Sequence, residues 1–396
     1  MFISTVGTNL VLVALSVYIF SLQSSAVSAA GVYIAQFLPV ALFMPLAWKI
    51  CNNQAPRFSL CWMETASAAI TISIGIALSM QVYAAVYTLL MIRGFLEMTT
   101  KSSRNVCLKL IVDNAHISQA NNFLMGSNFL GQAIGSLLGF VLINHASIIA
   151  IVMIDAITFL ISAFICLRLP NKKIAAIETT HPHSLWKHGY QILTTNKRVL
   201  IAMFYLFMTV IVMQSFNQVA RTWIPLAWLN LSNKMGALSE LIGCIGIVIG
   251  LITVSLFFTG NKAKTIYLPL AFSVACCFML LPFISTHPII SFSFYFIYMV
   301  LFEISLMLAM NQLLSSCQVE DTPSIMVIFY GTAFGGMTII TLLIATAADK
   351  WGLPIVTAIV MVCSLLIATQ TERRIKKNFA MEKVEKIDLT QVSDNE

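Results

Sequence analysis

Apolar residues in this chain come in long continuous runs. Twelve of them have spanning length, near 4–24, 28–49, 58–79, 81–102, 120–143, 147–169, 198–223, 235–258, 264–284, 288–314, 323–346 and 353–371. Each is bounded by polar or turn residues. Membrane strands would alternate over about ten residues, and only helices or closed barrels satisfy the backbone in lipid, so the runs predict helices. The longest internal polar stretch, Pro170 to Asn196, follows the sixth run. The expected fold is an all-α membrane protein of twelve transmembrane helices in two six-helix halves. The halves are 1–169 and 198–371, joined by a cytoplasmic connector at 170–197 and followed by a charged cytoplasmic tail at 372–396. Within the connector, Ser184–Leu193 reads as an amphipathic helix lying on the membrane. Such a 6+6 plan is that of parallel-repeat transporters.

Composition agrees with the pattern. Of 396 residues, 59% are hydrophobic and only 10% charged, against about 25% charged in a soluble domain. The apolar fraction alone is roughly twelve spans' worth at about 20 residues per crossing. A soluble enzyme, a nucleic-acid binder and a disordered protein are excluded. The formal net charge of +7 is then explained by loop Lys and Arg that set orientation. With the N-terminus inside, all but Arg93, Arg221, Lys234 and Lys350 of the 23 basic residues fall in inside loops or the tail. Both termini are expected in the cytoplasm. Met1 stands almost at the start of the first span, and no cleavable signal peptide is evident. The nine cysteines form no C-x-x-C pair and read as small packing residues. Trp48, Trp223, Trp228 and Trp351 lie near span ends, as an interfacial belt would.

Several stretches resemble one family. They include SSRNVCLKLIVDNAHISQANNFLMGSNFLGQAIGSLLGFVL followed by IDAITFLISAFICLRL, the opening TNLVLVALSVYIF and AQFLPVALFMPLA, and ATAADKWGLPIV. The sequence is similar to the major facilitator superfamily, in particular its drug-, macrolide- and siderophore-efflux branch, which includes the enterobactin exporter. The matching positions are Arg104 after span four, Ala120–Asn121 at the start of span five, Gly131, Gly135 and Gly139 within it, and Asp155–Thr158–Phe159 in span six. Two departures stand out. In the loop between spans two and three, Trp48 and Asn52 replace the family's Gly and Asp, although Arg57 is kept. In span five Gly135–Ser136 replaces Gly-Pro.

A charge near the bilayer centre costs roughly 2.5–3.5 kcal/mol, so the few that remain are the functional candidates: Glu64, Arg93, Glu97, Asp155, Arg221, Glu240 and Glu303. The resemblance implies that spans one, four, seven and ten line a cavity, which favours Arg93, Glu97, Arg221 and Glu303. Arg93 and Glu97 share a helix face and can pair; the pair either neutralises two costly charges or exchanges partners during transport. Glu303 has no basic residue at i±3 or i±4, which suits a proton carrier. Gln214, Asn217 and Arg221 form a polar stripe on span seven, beside Gln218, and are expected to line the substrate cavity. Glu64, Asp155, Asn52, Arg57 and Arg104 read as gating or structural groups, and Glu240 as a partner of Arg221 when the outside closes. Gly131, Gly135 and Gly139 allow close helix approach or a pivot.

His181, His183 and His188 crowd the connector without a matching carboxylate or Cys set, so no metal is expected. No other cofactor is implied, and the lack of a P-loop argues against ATP. The resemblance implies a monomeric secondary transporter of the bacterial inner membrane, not an enzyme. It would export a small amphipathic molecule (a drug, peptide antibiotic or siderophore) by proton antiport, conferring antibiotic resistance where the cargo is a drug. Uptake or lipid flipping by the same fold, or a transport-dead sensor motivated by the altered loop, are the alternatives. Nucleic acid is not a partner.

Overall fold

The computed structural model describes residues 1–23, 26–53, 55–113, 115–142, 145–170, 183–231, 234–258 and 267–393. They are nearly all helical. The first six passes are α1 (Phe2–Gln23), α2 with α3 (Ala26–Leu42 and Met44–Asn53), α4 (Pro56–Ser79), α5 (Tyr83–Ile111), α6 (Ile117–Leu142) and α7 (Ile148–Cys166). The connector helix α8 (His183–Thr195) leads into a seventh pass made of α9 (Lys197–Met208), α10 (Ser215–Trp223) and π-helical turns at Thr209–Gln214 and Ile224–Trp228. There follow α11 (Lys234–Phe257), α12 (Tyr267–Phe278), α13 (Pro288–Ser316), α14 (Thr322–Trp351) and α15 (Leu353–Ser393). The second pass breaks at Phe43, just ahead of Pro45, which has no N–H to bond the Ala41 carbonyl.

Among the described residues, six helices are long and apolar enough by themselves to cross a membrane, including α4, α7, α13 and α14. The fourth pass misses that mark because α5 carries Arg93, Glu97, Lys101, Arg104 and Lys109. It also runs past the expected boundary at 102. The basic residues assigned to an inside loop therefore sit on the helix. Glu97 and Glu64 neutralise Lys101 and Arg104, and a backbone oxygen holds Lys109, as described below. Large aliphatic residues such as Leu137, Ile157, Phe164, Ile339 and Ile359 point outward, well exposed, as a lipid-facing surface requires.

Each set of six packs mainly within itself. α1 lies on α6 and α7, α4 on α5 and α7, and α2 on α5; in the second set α13 lies on α9, α11 and α12. The sets meet where α14 contacts α2, α3 and α5, and where α6 contacts α11 and α13. Gly131, Gly135 and Gly139 all face α1. A Cβ at Gly131 would lie 3.0 Å from the Phe2 carbonyl oxygen, one at Gly139 2.9 Å from that of Leu10, and one at Gly135 would collide with that of Val6. The glycine row therefore lets α1 and α6 meet backbone to backbone.

The connector helix buries Leu185 and Ile192 and sets Gly189 against Ile328 of α14, leaving Trp186 and Tyr190 exposed. Trp48 departs from the interfacial belt: it is 5% exposed and sits in the core.

Candidate functional site

Three compensated charge pairs occupy the first six passes. Arg93 meets Asp155 at 2.6 Å, and both side chains are fully buried. The motif in α7 builds this acceptor. Thr158 donates to the Asp155 backbone oxygen at 2.7 Å, and the Phe159 ring lies 5.3 Å from the Arg93 guanidinium carbon. Arg93 therefore pairs across helices and not with Glu97, its i+4 neighbour. Glu97 is held by Lys101 at 2.9 Å and accepts from Gln36 of α2. Arg104 pairs with Glu64 of α4 and donates to Ser4 of α1 at 3.1 Å. Asp155 and Glu64, from the passes expected to lie outside the cavity, are thus the counter-charges of α5. A helical wheel shows only i+3 and i+4 neighbours, so these cross-helix partners were invisible to it.

A cavity of about 140 Å³ lies between α1, α2, α5 and α6 on one side and the seventh pass, α13 and α14 on the other. Its polar wall includes Asn9, Gln36, Glu97, Lys101, Asn128, Gln132, Gln214 and Gln218. Its apolar wall includes Phe37, Phe302, Phe329 and Phe334. Phe37 and Phe334 stack at 5.7 Å. Phe37, Gln218 and Met337 also border a neighbouring hollow that reaches Arg221, Thr338 and Thr341.

The expected stripe on the seventh pass divides. Gln214 and Gln218 face the cavity, and Arg221 faces the adjoining hollow. Asn217 turns away and accepts from the Tyr295 hydroxyl of α13 at 2.6 Å. Residues 214 and 217 lie about 60° apart on a wheel of 3.6 residues per turn, enough to put Asn217 against the neighbouring helix. Glu303 is also outside the cavity wall. It is buried against α11, where a Cβ at Gly250 would lie 2.8 Å from its own Cβ. Neither carboxylate oxygen has a hydrogen-bond partner among the described residues.

The two sets are latched at the end of the bundle that carries the connector helix. Asn121 donates to Asn311 of α13 at 2.7 Å, and Asn311 donates to Asn122 at 2.8 Å. Asn105 donates to the Tyr330 hydroxyl at 3.0 Å. Trp48 donates to Ser324 at 2.9 Å, and Lys109 to the Leu314 backbone oxygen at 2.5 Å. The replacement Trp48 is therefore part of the latch, and buried Asn52 lies beside it on α3. Arg57 is partly exposed and makes no ion pair among the described residues. Sequence reasoning ranked charges and so passed over Asn105, Asn122, Asn311 and Tyr330. Amides inside apolar runs were the signal that would have found them.

The Major Facilitator Superfamily model matches residues 1–342. The chain belongs to that superfamily. Solved superfamily folds superpose over nearly the whole chain. The E. coli fucose:proton symporter covers 94% of this chain and 96% of its own at TM-score 0.73 and 13% identity. A bacterial homologue of the iron transporter ferroportin, in an outward-facing state, covers 95% and 100% at 0.70 and 11%. The human organic anion transporter TETRAN covers 93% and 97% at 0.63 and 12%. At such identities the likeness is one of fold. No curated protein sequence matches significantly.

His188 of the connector helix contacts Asp321 at 3.1 Å. His181 and the side chains of His183 and Glu240 lie outside the described residues. No metal-holding cluster of His, Cys, Asp or Glu occurs among the described residues. Membership of the superfamily points to a transporter, not an enzyme.

Proposed function

We propose that this protein is a proton-coupled exporter of a small amphipathic molecule, working by alternating access in a bacterial inner membrane with both termini in the cytoplasm. The observation that carries the reading is the cavity between two sets of six helices, latched at the connector end alone among the contacts described above. With the connector in the cytoplasm, as its Lys and Arg favour, this is an outward-facing arrangement. Gln214, Gln218 and Arg221 contact cargo, while Asn217 supports them through Tyr295.

Glu303 is the proton-coupling group, and Arg93 and Glu97 relay its state to the other set. An ionised carboxylate at depth costs roughly 2.5–3.5 kcal/mol. Ionisation of Glu303 therefore favours whichever conformation lets water reach the α11–α13 contact. Gly250 is the weak point of that contact, because only its hydrogen separates the two helices there.

The test uses everted vesicles carrying the protein and acidified by respiration. A pH-sensitive acridine dye reports proton escape on addition of macrolides, peptide antibiotics or siderophores. Cargo-dependent dequenching that Glu303→Gln abolishes, with cargo exchange retained, is the expected result. Uphill flux unchanged in Glu303→Gln removes Glu303 as the carrier. Binding without flux at any gradient defeats the transporter reading in favour of a sensor, and cargo-dependent proton entry into right-side-out vesicles, with no dequenching in everted ones, reverses the direction.

A further inference from the structure

The chemistry of the cavity narrows the cargo, and this step rests on the proposed transport reading. Every charged side chain in the described wall is compensated by a partner already in place. Glu97 is held by Lys101 at 2.9 Å and by the Gln36 amide. Arg104, at the cavity floor, is held by Glu64. Arg93 and Asp155 are fully buried behind the wall, 2.6 Å apart. A charged cargo entering this space would lose its hydration and meet no unpaired counter-charge, and an isolated ion in such a setting is strongly disfavoured.

What the wall offers freely is neutral hydrogen bonding. Gln132 of α6 and Gln214 and Gln218 of the seventh pass make no side-chain hydrogen bond among the described residues, and all three border the cavity. Each amide brings two donors and an acceptor. Asn9 and Asn128 add further amide groups from α1 and α6. The same cavity is bordered by Phe37 and Phe334, which stack at 5.7 Å, and by Tyr330, which stacks on Phe334 at 5.7 Å. The cavity therefore joins a cluster of aromatic rings to a set of free amides.

We infer that the cavity binds an electrically neutral amphiphile, its apolar part against Phe37 and Phe334 and its hydroxyl, carbonyl or amide groups on Gln132, Gln214 and Gln218. Exclusion of ions is enforced by the Glu97–Lys101 balance. Removing either member exposes its partner's charge, so the preference can be steered in opposite directions.

The experiment measures binding to the purified full chain in detergent, with no gradient, so it does not depend on transport. The probes are three 7-dimethylaminocoumarins that differ only in a primary amide, a carboxylate or a trimethylammonium end, followed by fluorescence polarisation. The amide is expected to bind at least tenfold more tightly than either ion. Glu97→Gln should move the preference at least tenfold toward the carboxylate, and Lys101→Gln by a similar factor toward the trimethylammonium. Gln214→Leu with Gln218→Leu should weaken the amide at least tenfold while leaving the unfolding transition in place. An ion bound more tightly than the amide by the unaltered protein overturns the inference. So do a preference unmoved by both charge variants and binding of none of the three probes. Failure here with cargo-dependent proton flux intact leaves the transporter reading standing, and the reverse combination separates the two equally well.

Discussion

Removing one member of the Arg93–Asp155 pair is the perturbation whose size the structure fixes best. Both side chains are fully buried and 2.6 Å apart. The Arg93 Nε and Nη1 atoms have no hydrogen-bond partner among the described residues, and the Phe159 ring lies against the guanidinium. Asp155→Asn preserves shape but strands the guanidinium. Breaking a buried pair in this way costs about 3–5 kcal/mol, whereas replacing both members by apolar groups is often close to neutral. The assay is equilibrium unfolding in mixed micelles by SDS titration, on Asp155→Asn, Arg93→Met and the double variant Arg93→Met with Asp155→Leu. Each single variant should lose about 3–5 kcal/mol, and the double variant should recover most of that loss. Glu97→Gln should cost less, because its pair with Lys101 is 13–16% exposed and Gln36 stays to bond the amide. Additive losses in the double variant would refute the argument, since they would mean that the two groups are not each other's compensation.

Two further outcomes follow from the helix contacts. Asn311→Leu removes the bonds to Asn121 and Asn122, about 1 kcal/mol each. That should shift the ratio of latched to open molecules at the connector end by about 30-fold, because 1.4 kcal/mol is tenfold. Spin labels on the connector ends of α6 and α13 should then report a longer distance, and an unchanged distance distribution would count against the latch. Gly135→Val drives a side chain into the Val6 carbonyl of α1 and should cost about 1–3 kcal/mol in the same SDS titration; a neutral result would show that α1 and α6 separate freely.

The twelve passes were legible because lipid leaves few choices: a continuous apolar run must be a helix, and its length is set by the bilayer. The places where the reading slipped share one cause. Pairings across helices depend on rotation about each helix axis, which hydropathy does not encode. Arg93 and Glu97 satisfy the i,i+4 rule on paper, yet Gly94 brings α5 against the Gln36 backbone of α2 and fixes the rotation of that helix. Arg93 is thereby turned to α7 and Glu97 to α2. Asn217 left its stripe for a related reason. It stands about 60° from Gln214 on the wheel, enough to turn it to Tyr295 of α13 while Gln218 keeps to the cavity. Glu303 was found by its charge and misplaced by its pass. The cavity face of α13 carries Phe302, Leu306 and Met310, and one residue further along the helix is a turn of about 100°, enough to put the carboxyl against Gly250 of α11. Under the proposed mechanism, a buried acid at that contact would couple protonation to the packing of two helices within one set of six, so that the proton and the cargo need never share a site.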